Sequence, residues 1–491
     1  MSDKSVLKRV SVAVAALSSC GCRDAAVPAP RPAIASVSVR ANALNALSAN
    51  VTFEAERGDS AQAVCRAAGG GSEAGAADVT PFYPVADGAL GIAVFGLLPR
   101  TQYQCFVVAL GPGGAARSDP LLYQTPDLPA PVQGVRLQIT GTPPPGYIVT
   151  EVARDTTVLT VAFDSVGQVR WYRAFPAYPG ELAMGTEQLP NGHFTVYVGA
   201  STGAQPVAGR YFEFLPNGDI VRQYGAGAPY YTDSHELLLS FANGAMTAAQ
   251  LYGYDLRTLD LSALGGRPSQ LVAGHTLVRQ SASGATEFRW NAWDHFSLAD
   301  WLFVPANLST YQAIDFDHPN SMAIDRDGNY IVSFAGLGEI TRIDASTGQM
   351  LWRLGGRHNQ FSIIGDPLGG FGFQHDVRVL ENGDLLFFDN GLAHVPPQSR
   401  ALQYRLDLKK MTATLVWEYR HDPSVFNPFV GSVQRFQNGN TLVGYGAANL
   451  MTEVSPNGQV IWEGRLTVDD EPVPFFYRVR RIVSLYRFEH P

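Results

Sequence analysis

Five hairpin turns constrain what this chain can fold into. Asn191-Gly192, Asn243-Gly244, Asp327-Gly328, Asn382-Gly383 and Asn438-Gly439 each stand between two apolar, strand-like runs. Both central residues of such a turn need positive φ, which Asn, Asp and Gly accept most readily, so these dipeptides are strong hairpin signals. The turns recur every 52–56 residues, except for one longer step from Gly244 to Gly328 that carries an insertion around 253–315. A second series interleaves within 163–172, 213–224, 279–290, 342–354, 405–419 and 453–464, often with a Trp in its second strand. Two hairpins per repeat make a four-stranded sheet of about 50 residues, which is the size of one propeller blade. The six members of the second series predict an all-β, six-bladed β-propeller over 132–491. Its first inner hairpin is expected in 146–163. The strand-like run 477–486 has no partner in its own repeat, so it is expected to complete an early blade and remove a free sheet edge. Two stacked sandwiches would not require so regular a period.

A chain of 491 residues exceeds one compact core. Short alternating strands between Gly, Pro and Asn turns over 36–126 predict a small β-sandwich ahead of the propeller. The stretch PDLPAP at 126–131 is the link between them. Only 16% of residues are charged and the net charge is −8, with no basic stripe, which excludes a nucleic-acid partner. At the start, Lys4, Lys8 and Arg9 precede an apolar run over 10–17 that is too short to span a bilayer. Leu17-Ser18-Ser19-Cys20 then has the form of a bacterial lipobox. Residues 1–19 therefore read as a lipoprotein signal peptide, Cys20 as the lipidated residue and 20–35 as a Pro/Ala-rich tether. Gly21 occupies the position where an Asp would hold a lipoprotein in the inner membrane. This gives a lipid-anchored cell-envelope protein, attached to the outer membrane and facing the periplasm. Cys65 and Cys105 are the only cysteines in folded sequence, and in an exported domain they suggest one disulfide.

Three histidines share one register. His235 precedes Gly244, His318 precedes Gly328 and His375 precedes Gly383, each by eight to ten residues. Each stands at or just before the first strand of its repeat, in three consecutive repeats, so a ring of blades would bring the three imidazoles together on one rim. The other seven, His193, His275, His295, His358, His394, His421 and His490, read as ordinary surface residues. Three neutral imidazoles suit Zn²⁺ or Fe²⁺. They equally suit group transfer, with one His as nucleophile, one as proton carrier and His and Asn donors for developing charge. Asn320, in the same HPN run as His318, favours the second option, and Asp376 is the one carboxylate evident near the rim.

The runs HPNSMAIDRDGNYIVS, ITRIDASTGQMLWRLGG, QHDVRVLENGDLLFFDNG and VQRFQNGNTLVGYG resemble the bacterial arylsulfotransferase family, well over 230–465 and loosely over 130–230. That resemblance implies a secreted or periplasmic six-bladed propeller. It implies transfer of a sulfuryl group from an aryl sulfate ester to a phenolic acceptor, with no nucleotide donor and no cofactor. It makes His375 the nucleophile of a sulfo-histidine intermediate. His318 and Asn320 would bind the sulfuryl oxygens, and His235 would assist as a donor or as the proton shuttle. The chain departs from the family where an Arg usually follows the HxN motif. Here the stretch is Ser333-Phe334-Ala335-Gly336-Leu337, leaving Arg342, Arg353 or Arg378 as candidate cations. The other readings are a non-catalytic propeller that binds anionic aryl ligands and a three-histidine metalloenzyme. Leu97, Pro99, Thr101 and Tyr103 resemble the L-x-P-x-T-x-Y corner of fibronectin type III domains. That resemblance places Cys65 and Cys105 on neighbouring strands of one sheet.

Overall fold

Strand alternation organises the first part of the molecule. From Ala49 to Glu56, in the strand Asn45–Glu56, residues alternate buried and exposed, so one face of the strand is apolar. That face closes on a second sheet to form a core of Val51, Phe53, Ala63, Val94, Leu97 and Val107 with both cysteines. One sheet holds Ala33–Asn42, Asn45–Glu56 and Gly88–Val94, and the other holds Tyr83–Pro84, Ser60–Ala67, Gln102–Gly111, Gly114–Arg117 and Leu121–Gln124. Cys65 and Cys105 are direct cross-strand partners in the second sheet and form a disulfide across a Cα–Cα distance of 4.1 Å. The computed structural model describes residues 29–68, 79–200 and 209–486. Cys20, the signal segment 1–19 and His490 lie outside the described residues. Within the expected tether, the first strand already begins at Ala33.

The rest of the described chain is all β, with helix only in short 3₁₀ turns, and forms six successive antiparallel sheets. From the inside, sheets 2 to 6 start at Glu181–Gln188, Tyr231–Ala242, Pro319–Ile324, His375–Val379 and Ser432–Arg435, and the first four strands of each follow in chain order, while Ser362–Ile364 adds in parallel to the outer edge of sheet 5. These first strands touch in sequence, each packing against the next. Sheet 1 is built differently. Its hairpin Tyr147–Arg154 and Thr157–Phe163 is present as expected, but those are its second and third strands. The strand beside the other first strands is Arg480–Ile482, which pairs with Tyr147–Arg154. Val479 and Arg481 also bond Ser432 and Gln434 of sheet 6, so the run of first strands returns on itself. Conversely, Val135–Gly141 is given to the outer edge of sheet 6, where it pairs with Val460–Val468. Both ends of the six-sheet region thus meet at the junction of sheets 1 and 6.

Three tryptophans of the second turn series hold neighbouring sheets together. Nε1–H of Trp171 donates to the Pro216 carbonyl, that of Trp290 to Gly348 and that of Trp417 to Pro456, each in a turn of the next sheet. The insertion is a lengthened hairpin in sheet 3. Ala245–Leu259 and Gln270–Ser281 pair continuously out to Leu259 and Gln270, and Ala313–Asp315 returns alongside as a parallel strand.

Candidate active site

The first strands do not pair evenly with their neighbours. Sheet 3 loses register between Thr232 and Leu237, sheet 4 between Pro319 and Ser321, and sheet 5 between His375 and Arg378. Extra residues in one strand of a ladder form a bulge, which re-aims side chains and commonly borders a functional site. Here the bulges fall on the Asp233–Glu236 stretch, on Pro319-Asn320 next to His318, and on the residues after His375. His318 itself has φ +44° and Asp376 φ +54°. Such a conformation costs about 1–3 kcal/mol for a non-glycine residue and persists only where its surroundings hold it. For His318 the holding groups are carboxylates, because its backbone N–H donates to Asp315 and Asp317, each at 3.1 Å.

The three imidazoles expected to converge do meet. The rings of His235 and His318 pack edge to face with centroids 4.6 Å apart, and those of His318 and His375 lie 6.2 Å apart. Each ring is fixed through its Nδ1. His235 Nδ1–H donates to Asp233 at 2.9 Å, and His318 Nδ1–H donates to Asp315 at 2.6 Å. His375 Nδ1 lies 2.7 Å from Asn390 Oδ1 and 3.2 Å from the Phe373 carbonyl. The Asn390 amide nitrogen is spent on the carbonyls of Asn427 and Val430, so its oxygen can only accept. His375 must therefore carry its proton on Nδ1, which leaves a lone pair on Nε2.

The electrostatics differ from ring to ring. Burial pushes the His375 pKa down to about 3, and the neighbouring His318 pushes it in the same direction, so the ring is neutral across the physiological range. Burial also lowers His235, against the pull of Asp233. For His318 burial acts downward too, but the Asp315 carboxylate outweighs it and holds the pKa above the ordinary value. The site thus sets a neutral imidazole beside a ring whose protonated form a carboxylate favours. Phe373 stacks on His318 with centroids 5.5 Å apart, and Phe303 meets Phe373 edge to face at 5.7 Å, so an aromatic wall borders the rings.

Several sequence expectations need correction. Asn320 is fully buried and its amide donates to the carbonyl of Gln374, the residue before His375. It ties two first strands together at the site. Asp376 is a counter-ion, with its carboxylate bound by Arg378 and Arg480 and its pKa held far below the usual range despite burial. Arg342 pairs with Asp325 and Arg353 with Glu339, while Arg378 lies 3.4 Å from Glu236. The cation beneath the rim is instead Arg478, from the returning chain end. It binds Glu236 through both terminal nitrogens, at 3.0 and 3.2 Å, and donates to the Asn320 carbonyl at 2.9 Å. Tyr477 O–H donates to the His235 carbonyl at 3.0 Å.

His275 and His394 are not surface residues. His394 is buried against Asp389. His275, which the lengthened hairpin carries to the rim, is 1% exposed. Its Nδ1–H donates to Asp317 at 2.7 Å, and its Nε2 lies 3.6 Å from Asp233. Burial lowers its pKa, but Asp317 and Asp315 overcome this and hold it well above the ordinary value. His275 therefore bridges the carboxylates that orient His235 and His318. Sequence reasoning missed it because it lies in the insertion, outside the repeat register. It also missed Asp233 and Asp315, although the spacing Asp233-Ser234-His235 and the run Asp315-Phe316-Asp317-His318 carried the signal. Among the described residues, His275, Asp315 and Asp317 are the grouping whose donor atoms, all within 4.8 Å of one another, could hold a metal ion. It does not include His235 or His375.

Three solved structures share part of the chain's course. A protein of unknown function from Bacteroides caccae is 14% identical, with TM-score 0.44, over 70% of this chain and 100% of its own. A streptogramin B lyase is 11% identical, with TM-score 0.38, over 70% and 98%. A catalytically inactive virginiamycin B lyase from Staphylococcus aureus, solved with quinupristin, is 11% identical, with TM-score 0.35, over 68% and 89%. No curated protein matches the chain. The family model for Arylsulfotransferase (ASST) matches residues 213–467, which hold the three imidazoles, their orienting groups and more than half of the 491 residues. On that match the chain belongs to the arylsulfotransferase family.

Proposed function

We propose that this protein moves a sulfuryl group from an aryl sulfate to a phenolic acceptor through a sulfo-His375 intermediate, without a nucleotide donor. The observation that carries the reading is the state of the His375 ring. Its proton is pinned on Nδ1 by Asn390, and its Nε2 is kept unprotonated beside a ring whose protonated form Asp315 favours. A neutral nitrogen lone pair at neutral pH is what a nucleophilic step requires. In the first half-reaction the Nε2 pair forms the N–S bond while the S–O bond to the aryl group breaks. The departing phenolate takes the Nε2 proton of His318. The ring charge that develops on His375 is shared with Nδ1–H, which donates to Asn390. In the second half, the acceptor phenol returns a proton to His318, its oxygen attacks sulfur, and the N–S pair goes back to Nε2. The imidazolium of His318, sustained by Asp315, supplies the positive charge that the family places on the arginine absent near Ala335. His235, fixed by Asp233, backs the His318 ring edge to face, and Asn320 holds the His375 strand. Phe373 and Phe303 would face the aryl ring. Intact-mass measurement after brief exposure to an aryl sulfate tests this reading. A sulfuryl adduct on His375 is expected, and its absence together with no transfer over a broad donor panel overturns it.

The pH dependence follows from the same two rings. His375 loses its proton near pH 3, so it places no acid limb in the working range. His318 must be protonated and its pKa is raised, so kcat/KM is expected to fall as pH rises through that raised value. Asp315→Asn removes the charge that raises it, and the alkaline limb is expected to move to lower pH. An unmoved limb in the pH–rate profile assigns the proton carrier elsewhere.

The same proposal takes the six sheets as blades of a six-bladed propeller over 132–491, preceded by a fibronectin type III-like sandwich over 36–126. Its support is the closed order of first strands and the two-sheet core around Cys65 and Cys105. We also place the protein in the cell envelope, lipid-anchored through Cys20, on the strength of the lipobox. Cys20→Ala is expected to move the protein from the membrane fraction to the soluble fraction, and unchanged fractionation refutes the anchor.

A further inference from the structure

The bonds that set the His375 tautomer begin outside its own sheet. The chain leaves sheet 5 at Tyr419 and enters the first strand of sheet 6 at Ser432. Between them the run Asn427-Pro428-Phe429-Val430-Gly431 passes beside Asn390. Val430 has φ +52°. For a β-branched side chain that conformation is an outlier, and it persists only where the surroundings hold it. Held this way, the Val430 carbonyl accepts one Asn390 amide proton at 2.8 Å, and the Asn427 carbonyl accepts the other at 2.7 Å.

Asn427 does the holding. It is fully buried. Its amide nitrogen donates to the carbonyls of Phe429 at 2.9 Å and Val430 at 3.1 Å. Its Oδ1 accepts from the Ala448 N–H at 3.1 Å, so the amide cannot turn over without setting its oxygen against two carbonyls. Its backbone N–H donates to Ser399 Oγ at 2.8 Å, and that hydroxyl donates to the Asn390 carbonyl at 2.7 Å. Two amides therefore stand in series. Ala448 orients Asn427, Asn427 fixes the Val430 carbonyl, and the two loop carbonyls occupy the Asn390 nitrogen and leave its oxygen for the ring. Without them Asn390 could rotate and donate its nitrogen to Nδ1. The ring proton would then move to Nε2, where the lone pair is needed.

We propose, on the reading of His375 as the nucleophile, that Asn427 is a positioning residue: by holding the Val430 turn it aims Asn390 Oδ1 at His375 and keeps the ring proton on Nδ1. Asn427→Ala removes its side-chain donors, and Asn427→Asp does so while keeping the oxygen that Ala448 binds. The test is nitrogen NMR of the full chain labelled at histidine, which separates a ring nitrogen bearing a proton from one bearing a lone pair, with His375→Ala used to assign the signals. The wild type is expected to show the Nδ1–H form alone, and both variants a mixture with the Nε2–H form. In the same variants kcat is expected to fall about 10–100-fold, as for other groups that orient a reacting side chain, with KM changed less than about threefold. Adding Asn427→Ala to Asn390→Ala is expected to lower kcat little further, because both act through one bond. A merely structural residue would lower the unfolding midpoint and leave the tautomer where it is. The proposal is overturned if the wild-type ring is not in the Nδ1–H form, if the variants keep that form, if an active enzyme changes tautomer without losing kcat, if the double variant loses as much again, or if neither variant folds. The tautomer is read without turnover. A wild type that transfers no sulfuryl group, with variants that still change tautomer, therefore refutes the reaction and upholds the control of the ring by Asn427.

Discussion

His375→Ala is expected to abolish sulfuryl transfer, by at least about 10⁴-fold in kcat, the scale on which an enzyme that works through a covalent intermediate loses rate when its nucleophile is removed. The protein itself should survive the change. The His375 side chain makes two contacts through Nδ1, to Asn390 and to the Phe373 carbonyl, and the Asn390 amide keeps its bonds to Asn427 and Val430. Losing these contacts costs about 1 kcal/mol each, so the unfolding midpoint should fall modestly while turnover vanishes. Steady-state transfer from a chromogenic aryl sulfate to phenol, measured beside a denaturation curve, separates the two effects. Residual turnover within about tenfold of the wild type would show that sulfur passes directly from donor to acceptor. In that case the ring of His375 would only shape the site.

Arg478→Met is expected to cause the largest loss of stability among single changes near the site. Arg478 is 2% exposed and Glu236 3% exposed, and they meet through two parallel bonds with no water access. Removing Arg478 leaves the buried Glu236 carboxylate with only the more distant Arg378, at 3.4 Å, as counter-charge, and breaking a buried pair costs about 3–5 kcal/mol. The same change releases the Asn320 carbonyl. Denaturant midpoints should show a clear fall, and Arg478→Met combined with Glu236→Gln should recover part of it because no charge is then left unpaired. If the double variant is no more stable than the single one, the stability comes from the bond to Asn320 and not from the ion pair.

The course of the fold and the gathering of the three histidines were legible in the sequence because both follow from a period. Asn243-Gly244, Asp327-Gly328 and Asn382-Gly383 fix where hairpins turn, and residues at equal distances from equivalent turns end at equivalent places. What the period could not carry was missed. His275 reaches the rim on a lengthened hairpin that breaks the repeat, and Arg478 arrives from a chain end more than 240 residues from Glu236. Asp315 was overlooked for another reason. A carboxylate three residues before a histidine looks like solvated surface until the backbone of His318 turns to positive φ and folds the imidazole back onto it. Asn390 stood in plain view at the end of the run FFDNG. Its meaning depends on Asn427 and Val430, whose carbonyls occupy its amide nitrogen, and no local pattern announces those contacts.

The seal between Arg480–Ile482 and Tyr147–Arg154 has a kinetic consequence. That strand follows every other strand of the six sheets in sequence, and it brings Tyr477 and Arg478 under His235 and Glu236. Contacts between residues so distant in sequence close late and slowly. A nascent chain can therefore assemble five sheets, with all three imidazoles already synthesised, and still lack the groups that hold the rim in place. If the proposed reaction holds, competence for chemistry is expected to arrive only with the final strand.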